Sequence, residues 1–189
     1  MGRVFVETER LVLREVEPDD ADAIFSLNND AEVMRFLNGG ASADRAQIAG
    51  ELIPSYLAGY QRFGGLGRLA AIEKAGDRFV GVFKFQPTDD GPLDEVELGY
   101  RLHRSVWGRG YATEGSLALI RKGFTELGLG RIWAKTMTVN RRSQRVMQKA
   151  GLRYVRTFFE EWPEGPIEGS EHGDVEYELT RDEWLAMGS

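Results

Sequence analysis

Between Arg10 and Val16 the chain reads R-L-V-L-R-E-V, and apolar and polar positions alternate with the period of a half-buried strand. Pro18 breaks that period. The segment P-D-D-A-D-A-I-F-S-L then puts acids in a first helical turn and Ala21, Ile24, Phe25 and Leu27 at helical spacing, which predicts a short helix. A second is expected over Asp30 to Leu37, with Val33, Met34 and Leu37 on one side and Gly39-Gly40 closing it. Ser42 is placed to cap a third, through Ile48, Leu52, Tyr56 and Tyr60, with Pro54 as an irregularity. After Gly64-Gly65 the pattern turns to β. Leu66 to Glu73 and Arg78 to Phe85 form a hairpin about Ala75-Gly76-Asp77, and Asp94 to His103 is a further strand. Ala112, Leu119, Ile120, Phe124 and Leu127 mark a helix over Gly108 to Leu127, stopped by Gly128 and Gly130. Then follow a strand (Arg131 to Val139), a helix (Asn140 to Ala150), two strands (Leu152 to Trp162, Val175 to Thr180) and a short helix with Trp184 and Leu185. Early helices, an antiparallel meander and an alternating series predict an α+β fold, a mixed central sheet of about seven strands flanked by helices.

Composition narrows the class. The 189 residues suit a single domain over 1–189, without repeat or linker, and the stretch from Pro163 to Gly173 is the one flexible-looking loop. Apolar runs are far shorter than the roughly 20 residues that cross a bilayer, and the opening residues lack a signal-peptide core, so a soluble cytoplasmic protein without a membrane partner is expected. A net charge of -6 argues against a nucleic-acid partner. No cysteine is present, which excludes disulfides, thiolate metal sites and an acyl group carried on a protein thiol. His103 and His172 lack ligand-like spacing, so no metal site is expected. The charges are unevenly spread. Arg101, Arg104 and Arg109 cluster, as do Arg141, Arg142 and Arg145, whereas Glu160 to Glu178 holds eight acids and neither Lys nor Arg.

Chemistry concentrates in W-G-R-G-Y-A-T-E, residues 107 to 114, between a strand and a long helix. Gly108, Gly110 and Ala112 leave backbone N–H groups open at a helix N-terminus, and Thr113 adds a hydroxyl, which together make a phosphate cradle. The plain alternative is a glycine turn that only joins strand to helix. A dinucleotide fold would have an acid at the end of the next strand, but that strand ends Thr138-Val139-Asn140. Gly65-Leu66-Gly67 stands in the wrong order, after a helix and before a strand, and neither a P-loop nor a G-x-S-x-G motif occurs.

E-L-G-Y-R-L at 97 to 102, W-G-R-G-Y-A-T-E, and N-R-R-S-Q-R-V-M-Q-K-A-G-L at 140 to 152 resemble the successive core motifs of GNAT N-acetyltransferases. The opening T-E-R-L-V-L-R-E-V-E-P-D-D-A and closing Y-E-L-T-R-D-E-W resemble the branch that acetylates ribosomal-protein N-terminal Ala and Ser, where Trp is common at the position of Trp107. The resemblance implies the acyl-CoA N-acyltransferase fold, acetyl-CoA as cosubstrate and an amine acceptor, either a protein N-terminus or a small molecule. Relatives suggest a homodimer. The pyrophosphate would rest on the backbone of Arg109, Gly110, Tyr111, Ala112 and Thr113, with Trp107 and Gly108 in the same cosubstrate site, the pantetheine arm would pair with Leu102 and its neighbours, and Asn140 and Ser143 would meet the pantetheine and thiol end. Both Arg clusters would flank the phosphates.

Acyl transfer needs a neutral amine, a polarised carbonyl and a proton for the departing thiolate. Glu97 is the expected general base, with a structural or orienting carboxylate as its alternative. Many family members carry a Tyr acid where this chain has Met147, so Met147 is expected in the core and Ser143 becomes the candidate partner of the thiolate. The acids of Glu160 to Glu178 would border the acceptor opening and favour a cation, or else form a solvated loop. A catalytically weak acyl-CoA sensor is the other reading of the missing Tyr.

Overall fold

A computed structural model describes residues 2–162 and 165–188. Its single eight-stranded sheet has the order β1-β2-β3-β4-β5-β6-β8-β7. The strands are β1 (Val4–Glu7), β2 (Leu11–Glu15), β3 (Gly67–Glu73), β4 (Arg78–Gln86), β5 (Glu95–Leu102), β6 (Arg131–Met137), β7 (Arg153–Phe158) and β8 (Asp174–Thr180). All neighbours are antiparallel except β5 and β6. The expected count was seven; β1 is the addition, and its four residues V-F-V-E are too short to show a period.

Helices cover the two faces unequally. On one face α5 (Tyr111–Thr125), α6 (Arg141–Lys149) and α7 (Arg181–Ala186) bury Leu119, Ile120, Phe124, Met147 and Trp184 against Leu11, Leu13, Phe83, Phe85 and Leu98. Gly115 lets α5 lie close to β4, because a Cβ there would run into the Phe83 ring. On the opposite face α1 (Ala21–Asn28) and α4 (Ile53–Arg62) pack Ile24, Leu27 and Ile53 on Ala70, Ile72 and Val82. Two further helices, α2 (Ala31–Asn38) and α3 (Arg45–Gln47), lie between them in sequence.

Local chemistry explains most boundaries. Asp30 caps α2 by accepting from Glu32 and Val33 N–H, and Gly39 ends it in the left-handed region at φ 71°. The third helix is capped by Asp44 rather than Ser42, through Ala46 and Gln47 N–H, and it carries a π turn at Ile48–Leu52 before Pro54 enters α4. The helix expected from Gly108 begins three residues later, at Tyr111, since Gly108 and Gly110 have φ of 77° and 83°, incompatible with a right-handed helix. The strand expected over Leu152 to Trp162 is limited to Arg153–Phe158. In the loop expected from Pro163 to Gly173, Pro163 and Glu164 lie outside the described residues, and Ser170–His172 forms a short 3-10 turn. No helix among the described residues is long and apolar enough to cross a membrane.

The sheet is split at its only parallel junction. Hydrogen-bonded register joins β5 to β6 at just three pairs, Glu95–Arg131, Val96–Ile132 and Glu97–Trp133. Beyond them β5 continues to Leu102 and β6 to Met137 as unpaired facing edges. A wedge opens there, lined by backbone donors and acceptors that an extended amide-bearing chain can satisfy.

Candidate active site

At the wide end of the wedge β5 runs through a turn (Arg104–Val106) into α5. Gly110 is the N-cap, supplies no side-chain bond, and leaves the first N–H groups of α5 without acceptors among the described residues. Glu114 N–H is the first to find one, Gly110 O at 2.9 Å. Tyr111, Ala112 and Thr113 therefore present free donors at the positive end of a 15-residue helix. A Cβ at Gly108 would meet nothing within 4 Å, so backbone conformation rather than crowding demands glycine there. Arg109 differs from its neighbours, because its N–H is donated to Val106 O at 3.4 Å and only its half-exposed side chain remains for a ligand.

The cradle is held from outside by the β1–β2 turn. The Glu114 carboxylate accepts from Thr8 Oγ1 at 2.6 Å, Arg10 N at 2.9 Å and Arg10 Nε at 2.7 Å. Arg10 also donates to Arg109 O at 2.9 Å and stacks 4.5 Å above the Tyr111 ring, while the Tyr111 hydroxyl donates to buried Glu73. Desolvation works against ionisation of Glu114, yet the bonds from Thr8 and Arg10 outweigh it and hold the carboxyl below its ordinary range. Two motifs far apart in sequence, T-E-R-L and Y-A-T-E, thus form one bracket. Thr8, Arg10 and Glu114 are absent from the sequence-derived set, and no local pattern could reveal a contact spanning 106 residues.

Across the wedge, Tyr100 on β5 reaches α6. Its hydroxyl donates to Ser143 O at 2.9 Å and lies 3.0 Å from Ser143 Oγ. Burial pushes the Tyr100 phenol above its ordinary pKa, so it stays protonated. Tyr100 belongs to E-L-G-Y-R-L, but its partner shows only in three dimensions. Asn140 is largely committed to capping α6: its Oδ1 accepts from Ser143 N–H at 3.3 Å and its Nδ2 donates to Thr136 Oγ1 at 3.0 Å. Met147 is 2% exposed and belongs to the core, as expected. Trp107, 37% exposed, donates its indole N–H to Leu102 O at 2.8 Å and carries the Arg142 guanidinium 5.3 Å over its ring. Leu102 O is therefore already engaged, and of the two arginine clusters Arg142, over Trp107, and Arg109 stand at the cradle.

The other face of β5 carries Glu97, Gly99 and Arg101. Glu97 pairs through Oε2 with Lys84 of β4, and its Oε1 is bonded to no described residue. Burial lowers the Lys84 pKa, partly offset by Glu97. Arg104 turns away to Asp30 at 2.8 Å. Half of the acidic strip is spent on arginines and a lysine: Glu160 pairs with Lys135, Glu168 with Arg35, Glu176 with Arg131 and Arg156, and Glu178 with Arg131 and Arg153.

Residues 10–153 match the family model of the acetyltransferase (GNAT) domain. The chain belongs to the GNAT family. Its relatives include FsC-acetyl coenzyme A-N(2)-transacetylase of Aspergillus fumigatus, 34% identical over 190 residues, which cover 96% of this chain and 78% of that protein. Among solved structures, RimL, a ribosomal L7/L12 α-N-protein acetyltransferase in complex with coenzyme A, superposes with a TM-score of 0.80 at 18% identity over 96% of this chain and 99% of that one. The spermidine N-acetyltransferase of Vibrio cholerae, with CoA and spermine, gives 0.75 at 18% identity over 93% and 98%. At those identities the likeness to the two structures is one of fold. Membership makes this GNAT protein an acetyl-CoA-dependent acyltransferase.

Proposed function

We propose that this GNAT protein transfers acetyl from acetyl-CoA to a primary amine, a protein N-terminal α-amine or a small molecule, by direct attack in a ternary complex. The observation that carries the reading is the continuity of the glycine cradle with the open wedge, because one extended molecule with a phosphate end and an amide arm fits both. Tyr111, Ala112 and Thr113 N–H would hold the pyrophosphate, with Gly108 and Gly110 keeping the backbone in place, and the free edge of β5 near Leu102 would pair with the arm. Trp107, Arg109 and Arg142 would border the phosphates.

The chain has no cysteine to carry an acyl group, which favours direct attack. Glu97 Oε1 would accept the amine proton, through a water, as nitrogen bonds to the thioester carbon. The C–S bond then breaks with its electron pair on sulfur. The Tyr100–Ser143 pair would supply the proton that sulfur takes up, a part Met147 cannot play from the core. Asn140 would set the start of α6 and so the place of Ser143.

Glu97→Gln tests the reading. Acetyl-CoA-dependent thiol release in an amine panel is expected to fall about 10²–10⁴-fold at neutral pH, with acetyl-CoA affinity little changed. Undiminished turnover would remove Glu97 from the reaction, and no thiol release with any amine would refute the transferase reading.

A further inference from the structure

On the face of β5 that carries Glu97, Arg101 stands as a half-buried cation without an anion. Its Nε is shielded from solvent and has no hydrogen-bond partner among the described residues, Nη1 meets Met34 Sδ of α2 at 3.5 Å, and the Tyr56 hydroxyl is its other polar neighbour. Among the described residues Arg101 makes no ion pair. Its surroundings add positive charge: Arg68 stacks 5.6 Å over the Tyr56 ring of α4, and Arg68 is opposite Lys84 in the β3–β4 register. Lys84 in turn faces Gly99, and Arg101 faces Val82, so the three cations share one side of the sheet. Glu97 is the acid beside them, and it is paired with Lys84. Burial pulls the Arg101 pKa down, only partly offset by Tyr56. A partly desolvated guanidinium whose Nε is shielded and unbonded costs stability unless something completes it.

We infer that Arg101 binds a carboxylate of the acceptor, so that the acceptor is an amino acid or similar amine whose carboxylate lies a few bonds from the reacting nitrogen. This rests on the transferase reading above. Nη1 lies against Met34 and Nε is closed to solvent, so Nη2 is the nitrogen open to a carboxylate, which it would meet in a charge-assisted hydrogen bond. Cosubstrate phosphates are excluded as the anion because the cradle heads α5, on the opposite face from Arg101. A thioester in the wedge carries no charge. Glu97 and Arg101 are four residues apart on one strand face, about 13 Å between Cα atoms. The Lys84 side chain lies over Gly99, its Cβ 3.4 Å from where a Cβ of residue 99 would stand, so an acceptor spanning the two groups would pass beside Lys84, a further cation for its carboxylate. Each end of a zwitterionic acceptor then meets its opposite, amine at Glu97 and carboxylate at Arg101. Of the acids of Glu160 to Glu178, four, Glu160, Glu168, Glu176 and Glu178, are paired within the protein, which weakens their pull toward a purely cationic acceptor.

The experiment compares amino acids with their amides as acceptors, in wild type, Arg101→Met and Arg101→Lys, by thiol release from acetyl-CoA. Because each acceptor is compared across variants, the difference in amine basicity between acid and amide cancels. Arg101→Met is expected to cut kcat/KM for the acids at least about tenfold more than for the amides, with Arg101→Lys intermediate. Equal losses on both would reduce Arg101 to packing and overturn the inference. Binding is measured separately by calorimetry on the CoA-saturated protein, with N-acetyl amino acids against their amides. In wild type the carboxylate form should bind at least about tenfold more tightly, and equal binding, including none by either, overturns the proposal whatever the turnover shows. This arm in wild type needs no variant to fold. Loss of thiol release with every amine would instead count against the transferase reading.

Discussion

Glu114→Ala probes whether the bracket between the β1–β2 turn and α5 serves the cradle or merely the fold. The substitution strips acceptors from Thr8 Oγ1, Arg10 N and the Arg10 guanidinium. Arg10 is 43% exposed and can turn to water, so its ion pair is left out of the count. The Thr8 hydroxyl and the Arg10 backbone N–H remain, each bonded to a charged acceptor in a part-shielded place, and together they amount to about 2–3 kcal/mol. For a chain of this size that is a fall in Tm of about 4–12 °C. Freed from its bracket, the start of α5 has to be ordered by the ligand itself. The Kd for acetyl-CoA, by calorimetry, is therefore expected to rise about tenfold, while kcat at saturation changes little. The stability difference has a fixed pH signature. The native carboxyl is held below its ordinary pKa, so its contribution is fully present above the unfolded value of about 4.3 and is lost as pH falls through the lower native one. Thermal melts from pH 7 to 3 should show wild type and Glu114→Ala converging at the acid end. A variant with lowered Tm but wild-type acetyl-CoA affinity would refute the reasoning, since the cradle would then keep its shape unaided.

Tyr100→Phe is expected to lower turnover more than Ser143→Ala, because Ser143 loses its phenol partner while the Ser variant leaves Tyr100 free to donate; equal wild-type rates in both would mean that water protonates the thiolate. Asp174 is 5% exposed, with one oxygen unbonded, and burial together with nearby Glu160 raises its pKa. Its native form holds a proton more tightly than the unfolded one, so its effect is most favourable below the unfolded pKa of about 3.9 and worsens as pH climbs through the raised native value. Asp174→Asn should therefore raise Tm at pH 7 and flatten the pH dependence; a lower Tm at pH 7 would show that the ionised form is needed.

Residues whose meaning is local were legible in the sequence. Asp30 and Gly39 bound α2 as expected, and Gly108 and Gly110 mark the cradle. Ser42 was mistaken for a cap because Asp44, two positions on, offers the same chemistry. The π turn at Ile48–Leu52 has no signature in the pattern, and Pro54 marked only its neighbourhood. Within the site, Glu97 and Ser143 came from motif likeness, but Lys84 and Tyr100 needed register and tertiary packing. The Lys84–Glu97 pair could have been found from a β4–β5 hairpin register, since the two occupy diagonal positions on one face. The orphaned state of Arg101 is a statement about what is missing around it, and spacing carries no such information.

The alternation along β5 has a consequence for how such a protein can change. Leu98, Tyr100 and Leu102 serve the wedge and the α5 side, whereas Glu97, Gly99 and Arg101 serve the opposite side. On the proposed reading, neighbours in sequence thus belong to different partners in the reaction. New acceptor preferences can arise by substitution at every second residue without disturbing those between, but a single inserted residue in this strand would exchange the two sets and abolish both at once.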